Sequence, residues 1–476
     1  MEIILRGKKM SRGKELAKNT IIITIGKVST QFISFLLLPL YTSLLSTEEY
    51  GSVDLFTTYI QLLLPLMTLL VEQGAFRYLI ECKEDKEKKK IVTSSGSLII
   101  IQCVIYAVIF VFIAPYIKNN YKFYVLGMLI TAAFSGWSMQ LARGFRKLTL
   151  YAAGSFITVL ITICCNIVFI ACFHMGATGM LLATCIGNIA CTFFILCYLR
   201  IYRYCNYKDF NRCSIKEMIC YSVPLIPNQL SLWVINSSDR TIVNYFLGAA
   251  SNGILAISHK FSSIYQTVFG MFQLSWHEIG AIHFNDSDRD EFFTETFDIV
   301  YKFFSSMCVG LIAVIPFIFP LLIDDKYAQA YYTIPFYLLA VLCNIVIGLL
   351  GVIYVALKKT SEIAKSTIYA GVINIVVHIL LINEFKLFAA AISTFVSYGC
   401  IMLYRLVDTK KYIDIRYNYG YFAVSFFVST LLLIPYYCNS LLLRILGLIV
   451  ACLCAIIVNR KIIRSIVKEI CALIRR

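Results

Sequence analysis

Apolar residues in this chain come in long runs, and polar residues are confined to the short joints between them. Each run approaches the roughly 20 residues that a helix needs to cross a bilayer. In order, they predict helices at 19–45, 53–79, 91–114, 122–143, 148–173, 177–200, 217–247, 251–280, 298–322, 331–356, 363–383, 387–406, 417–437 and 440–460. The fold class expected is therefore all-α and polytopic, with about fourteen transmembrane helices. Fourteen spans use about 280 residues, so no independent catalytic domain fits.

Charge sets the orientation. The 476 residues include 43 Lys and Arg against 27 Asp and Glu. With the N-terminus inside, about 35 of the basic residues face the cytoplasm and about five (Lys118, Lys122, Lys326, Lys386, Arg444) face out. That predicts both termini cytoplasmic, in a multi-pass protein of the cell (inner) membrane. It also accounts for the net charge of +16 without nucleic acid, since no basic stretch is interleaved with aromatics on a solvated face. The 18 cysteines lie mostly in apolar runs, with no CxxC pair, and read as small buried hydrophobes. The five histidines are scattered, so neither a metal nor a cofactor is expected. The first run, 19–45, is too long for a signal-peptide core and reads as a retained helix. Asn285–Glu291 is acidic but has Glu291 where a calcium loop needs glycine, so it reads as a solvated loop. The tail 461–476 spaces its apolar residues on one helical face, which suits the anionic inner leaflet.

The remaining charges lie within the spans. Lys27, Arg240 and Lys260 facing lipid would together cost about 8–10 kcal/mol. They are expected to line a cationic, substrate-binding cavity instead. The alternatives are that Lys27 snorkels to the inner surface and that Asp239 neutralises Arg240. Asp239 and Glu72 are candidates for ion coupling, although Glu72 and Arg77 also read as an interfacial pair, and Glu278 is similar. Pro39, Pro224 and Pro227 are candidate hinges. No phosphate-binding loop and no serine–histidine–carboxylate group occurs, so no enzyme is expected.

Two joints resemble each other. Glu49-Tyr50-Gly51-Ser52-Val53 joins helices 1 and 2, and Ser251-Asn252-Gly253-Ile254-Leu255 joins helices 7 and 8. A repeated six-helix half is a common transporter plan. Leu38-Pro39-Leu40-Tyr41-Thr42-Ser43-Leu44-Leu45-Ser46 with Glu49-Tyr50-Gly51, Gly74-Ala75-Phe76-Arg77-Tyr78, Ser238-Asp239-Arg240, Tyr245-Phe246-Leu247-Gly248 and Asn252-Gly253-Ile254 resemble Wzx-type polysaccharide-repeat flippases. These belong to the multidrug/oligosaccharidyl-lipid/polysaccharide exporter superfamily. Ser258-His259-Lys260 departs from the usual pattern and leaves the role of His259 open.

The resemblance implies a V-shaped, MATE-like bundle of two pseudo-symmetric six-helix lobes plus two C-terminal helices. The expected divisions are a basic N-terminus 1–18, an N-lobe 19–200, a linker 201–216, a C-lobe 217–406, helices 13 and 14 at 417–460, and the tail. In some relatives helices 13 and 14 form a groove for a lipid tail. The function expected is that of a flippase moving undecaprenyl-diphosphate-linked oligosaccharide to the outer leaflet for capsule, O-antigen (lipopolysaccharide) or exopolysaccharide assembly. Expected partners are that substrate, membrane lipids and the polysaccharide polymerase and chain-length machinery, with the flippase itself a monomer. The rival readings are a multidrug exporter, a flippase for the peptidoglycan lipid precursor, and a membrane-embedded polymerase or ligase.

Overall fold

The structure, a computed structural model, describes residues 34–116, 120–357, 359–460 and 464. Among these every regular element is helical. The chain divides into two compact units, 1–237 and 238–476. Among the described residues eleven helices are long and apolar enough to cross a membrane, or up to twelve if one bent pair counts as a single span. The first predicted helix, Lys27 and the basic tail 461–476 fall wholly or largely outside the described residues.

In the first unit, α1 (Leu38–Leu44) leads into α2 (Thr47–Thr68), α3 (Val71–Leu79), α4 (Asp85–Ile113), α5 (Lys122–Gly144), α6 (Leu148–Asn166), α7 (Gly176–Tyr198) and α8 (Arg212–Ser222). Pro39 sits at the start of α1, directly after a turn at Leu37, where its missing N–H costs no helical bond. Ser46 caps α2 in a capping box: its hydroxyl accepts the Glu49 N–H at 3.2 Å, and Glu49 accepts the Ser46 N–H at 3.0 Å. The same Glu49 carboxylate accepts the Ala177 N–H at the start of α7, at 3.4 Å. The core is apolar, with Trp137 of α5 donating to Ser95 of α4 at 3.0 Å beside Gly96. Along α4 the residues Ile100, Val104, Ile105, Val108, Val111 and Phe112 are exposed, a face that only lipid suits.

One expectation fails here. The run 53–79 predicts a single helix, but α2 and α3 meet at a bend of 62°. Leu69 and Leu70 both adopt left-handed backbone, with φ 50° and 53°. Each such residue costs roughly 1–2 kcal/mol. Pro65, inside α2, removes one ladder bond just upstream and is the only sequence mark of this weakness.

The second unit takes in most of α9 (Ile226–Ile282), followed by α10 (Arg289–Leu322), α11 (Gln329–Ala356), α12 (Thr360–Phe385), α13 (Leu387–Asp408), α14 (Tyr419–Leu431), α15 (Leu433–Tyr437) and α16 (Leu441–Val458). Although continuous, α9 folds at Gly248, whose φ of 84° and ψ of 173° suit only glycine. Pro224 lies in the turn between α8 and α9, and Pro227 is the second residue of α9, so both mark a helix start. Among the described membrane-length helices, α11 is the most enclosed. The last two predicted helices pack on α10. Tyr301 stacks on Phe422 at 4.1 Å and meets Ser425 at 2.7 Å, and Asn459 donates to Ser306 at 2.9 Å.

Candidate functional site

The turn at Gly248 makes the two arms of α9 run back along each other. Residues equidistant from the turn then face one another. Asp239 lies nine residues before Gly248 and His259 eleven after it. They meet: His259 Nε2 is 3.0 Å from Asp239 Oδ2. The other carboxylate oxygen accepts the Arg240 backbone N–H at 3.0 Å. Asp239 is only 5% exposed, so each of its oxygens is matched where water is largely excluded.

The three residues Ser258, His259 and Lys260 turn by about 100° each along the helix. Ser258 meets Thr333 of α11 at 2.7 Å and donates to the Ala330 carbonyl at 3.0 Å, which fastens the second arm to α11. His259 turns towards the first arm. Lys260, a further step round, projects from a third face and is half-buried. The His259 ring also lies over Tyr337 of α11, with ring centres 4.3 Å apart. On α12, His378 is fully buried within the electrostatic reach of Asp239, and neither ring nitrogen has a hydrogen-bond partner among the described residues.

The Arg240 charge also acts on the Asp239 carboxylate, from the next position along the helix. The direct side-chain hydrogen bond of Asp239 is to the His259 ring across the turn. His259, left open by the sequence, is the direct partner, and the packing of α11 and α12 brings Tyr337 and His378 near. The signal for His259 was its position relative to the glycine turn. Nothing in the local sequence marks His378, which only the packing of α12 brings near.

In the first unit Glu72 sits in the first turn of α3, right after the break, and is 9% exposed. Its reading as an interfacial pair with Arg77 is corrected. Arg77 pairs instead with Glu81, four residues on and exposed. Glu278 is exposed. Asp239, Arg240, His259 and Lys260 thus share one hairpin, and Glu72 stands apart from them at the helix break.

A family model described as polysaccharide biosynthesis protein matches residues 16–275, more than half the chain and including this hairpin. No curated protein sequence matches. Among solved structures, the lipid II flippase MurJ in an inward closed conformation is similar at a TM-score of 0.71 and 14% identity, over 94% of this chain and 100% of that one. An inward-facing multidrug resistance MATE family transporter of the MOP superfamily is similar at 0.67 and 13%, over 82% and 98%. An outward-facing form of such a transporter gives 0.58 and 13%, over 83% and 94%. At these identities the likeness establishes a shared MATE-like fold.

Proposed function

Because the chain belongs to the polysaccharide biosynthesis protein family, we propose that it is a flippase carrying undecaprenyl-diphosphate-linked oligosaccharide from the cytoplasmic to the outer leaflet. The observation that carries this reading is the charged hairpin of α9. Asp239–Arg240 and His259–Lys260 face across the turn within an apolar helical unit. Intramembrane charges of this kind are costly and usually functional. The cations Arg240 and Lys260 on this hairpin suit an anionic headgroup, and Lys27 is proposed for the same role in the first helix. The sugars need no recognition inside hydrocarbon if they travel with the diphosphate through a polar cavity.

A diphosphate carries roughly two negative charges, and moving one through 100 mV is worth about 2.3 kcal/mol. The membrane potential, negative inside, then supplies about 4–5 kcal/mol for outward movement. The basic residues favour an inner-membrane placement with both termini cytoplasmic. Polymerase and chain-length proteins are the natural consumers of the product. A multidrug exporter of cations is the second reading, and the buried carboxylates Asp239 and Glu72 are what favour it.

Two measurements test the proposal. Reporter fusions after Arg212 and Lys410 are expected to report cytoplasm, and one after Lys326 the outside; an external C-terminus overturns the orientation. Vesicles reconstituted with the full chain and a fluorescent diphosphate-linked oligosaccharide are expected to flip it faster under an imposed potential. Flipping that ignores the potential removes potential-driven uniport. Export of cationic dyes with no movement of the lipid-linked sugar decides for the second reading.

A further inference from the structure

The break between α2 and α3 leaves polar groups inside the first unit that the charged hairpin does not use. A helix that stops loses the partners of its last carbonyls and the next helix those of its first N–H groups. Here the gaps are filled piecemeal. The Thr68 hydroxyl accepts the Leu70 N–H at 3.2 Å, and Gln102 of α4 donates its amide to the Thr68 carbonyl at 3.1 Å. The Thr68 hydroxyl itself donates to the Leu64 carbonyl at 3.0 Å, and Glu72 follows four residues after Thr68. Two acceptors at this place have no partner among the described residues: Glu72 Oε2 and Gln102 Oε1. Both side chains are more than nine-tenths buried, at 9% and 7% exposed. Gln102 is held at the break by Thr68, and Glu72 begins the helix on its far side.

The charged and titratable groups around α3 are engaged elsewhere. Arg77, on α3 itself, pairs with Glu81. From α5, Arg143 lies over the Phe76 ring, with its guanidinium carbon 4.4 Å from the ring centre. From α8, Lys216 and Glu217 are exposed, and Glu217 accepts from Cys213 at 3.6 Å. From α4, Cys103 is a buried thiol beside Gln102. Among the described residues no cation is paired with Glu72. An ionised carboxylate left in that position costs several kcal/mol, whereas a neutral carboxyl bears a hydrogen that can be donated.

We propose that Glu72 is a proton-binding site built into the broken helix of the first unit, with Gln102 as its acceptor partner. With a proton on Oε2, the carboxyl becomes a donor and the Gln102 oxygen gains something to accept. On loss of the proton, both buried oxygens are left without a donor and the carboxylate needs water. The break is the part of this unit that can give, because its two left-handed leucines already hold it above a regular helix in energy. Protonation and the angle between α2 and α3 are therefore linked: the site takes up a proton when the break is closed and dry and releases it when the break opens. The use of that proton, inward movement against outward anion export, rests on the flippase reading; the site itself does not.

The test uses the full chain purified in lipid nanodiscs. Infrared difference spectra between mildly alkaline and mildly acidic buffer are expected to show a buried protonated carboxyl that is absent from Glu72→Gln. Sodium or potassium is expected to leave it unchanged. Gln102→Leu is expected to keep the signal but to weaken proton binding about tenfold, through loss of the acceptor. Spin labels introduced at exposed Leu63 and Lys83, on the two sides of the break, are expected to report a pH-dependent distance in the parent and a fixed, acid-like distance in Glu72→Gln. Persistence of the signal in Glu72→Gln, its displacement by sodium, or a distance that ignores pH overturns the proposal. None of these readouts involves the lipid-linked sugar, so a chain that failed to flip it could still pass, and a proven flippase could still fail.

Discussion

The first and second units each begin their matched joints with a hairpin, and they close it by opposite means. In the first, the turn at Leu45–Ser46 is held by a capping box, and the facing pair is neutral. Tyr41 and Tyr50 lie with ring centres 6.2 Å apart, and Asn166 of α6 donates to the Tyr41 hydroxyl at 2.7 Å. In the second, a lone glycine makes the turn, and the facing pair is Asp239 with His259. The continuation differs too. The second arm of α9 runs unbroken to Ile282, whereas α2 breaks and places Glu72 behind the break. A repeated plan thus carries its charge across the hairpin in one unit and at the helix break in the other.

If the charged hairpin is the working part, the largest effects belong to it. Lys260→Ala is expected to abolish polysaccharide export in a complementation assay while membrane levels hold, because removing a half-buried ammonium leaves packing intact. Lys260→Arg is expected to retain part of the activity, and Lys260→Glu to be worse than alanine, by repelling an anionic headgroup. Arg240→Ala is expected to act in the same direction and more weakly. Normal export by Lys260→Ala would place the function elsewhere than in this hairpin.

Next comes stability. His259→Ala leaves Asp239 buried without its ring partner, a change that typically costs about 3–5 kcal/mol. Thermal unfolding in detergent is expected to fall accordingly. Adding Asp239→Asn removes the stranded charge and is expected to recover most of the loss without restoring export. A double variant as unstable as the single one would mean that His259 matters for packing on Tyr337 rather than for charge.

The contrast between the units also explains what the sequence made legible. The all-helical membrane class followed from apolar runs, since only helices and barrels satisfy their backbone in lipid. Asp239, Arg240 and Lys260 stood out because charge inside such a run is expensive. His259 was visible only once the turn at Gly248 was taken as the mirror point of a hairpin, and Tyr337 and His378 come from helices far along the chain. The break at Leu69–Leu70 was hidden because leucine is a good helix former; its cause lies in packing, for which Pro65 is a weak local sign. Lys27 lies outside the described residues.

Smaller effects are expected at the two glycines. Gly176 has φ +55°, and a Cβ there would fall 2.1 Å from Glu49 Oε1, the oxygen that holds the start of α7. Gly176→Ala should therefore cost about 1–3 kcal/mol, and Glu49→Ala should relieve part of it. Gly248→Ala meets no atom within 4 Å, so its cost, of similar size, is backbone alone and no second substitution should relieve it. Double-mutant cycles on thermal unfolding separate the two. Equal coupling at both would erase the difference between a capped turn and a glycine turn.

The smallest effect on export is expected at the neutral pair. Tyr41→Phe keeps the ring that lies against Tyr50 and deletes only the hydroxyl that accepts from Asn166. Asn166 is 2% exposed and its side-chain oxygen already lacks a partner, so the variant strands its amide as well. A neutral buried hydrogen bond contributes about 0.5–1.5 kcal/mol, and a stranded donor costs about 1–3. The loss in thermal stability should therefore approach 1–3 kcal/mol, below that of His259→Ala, because no net charge is exposed to the apolar interior. Export should be unchanged once membrane levels are matched. If Tyr41→Phe abolished export as Lys260→Ala is expected to, the neutral hairpin would be as much a part of transport as the charged one, and the division of labour between the units would be lost.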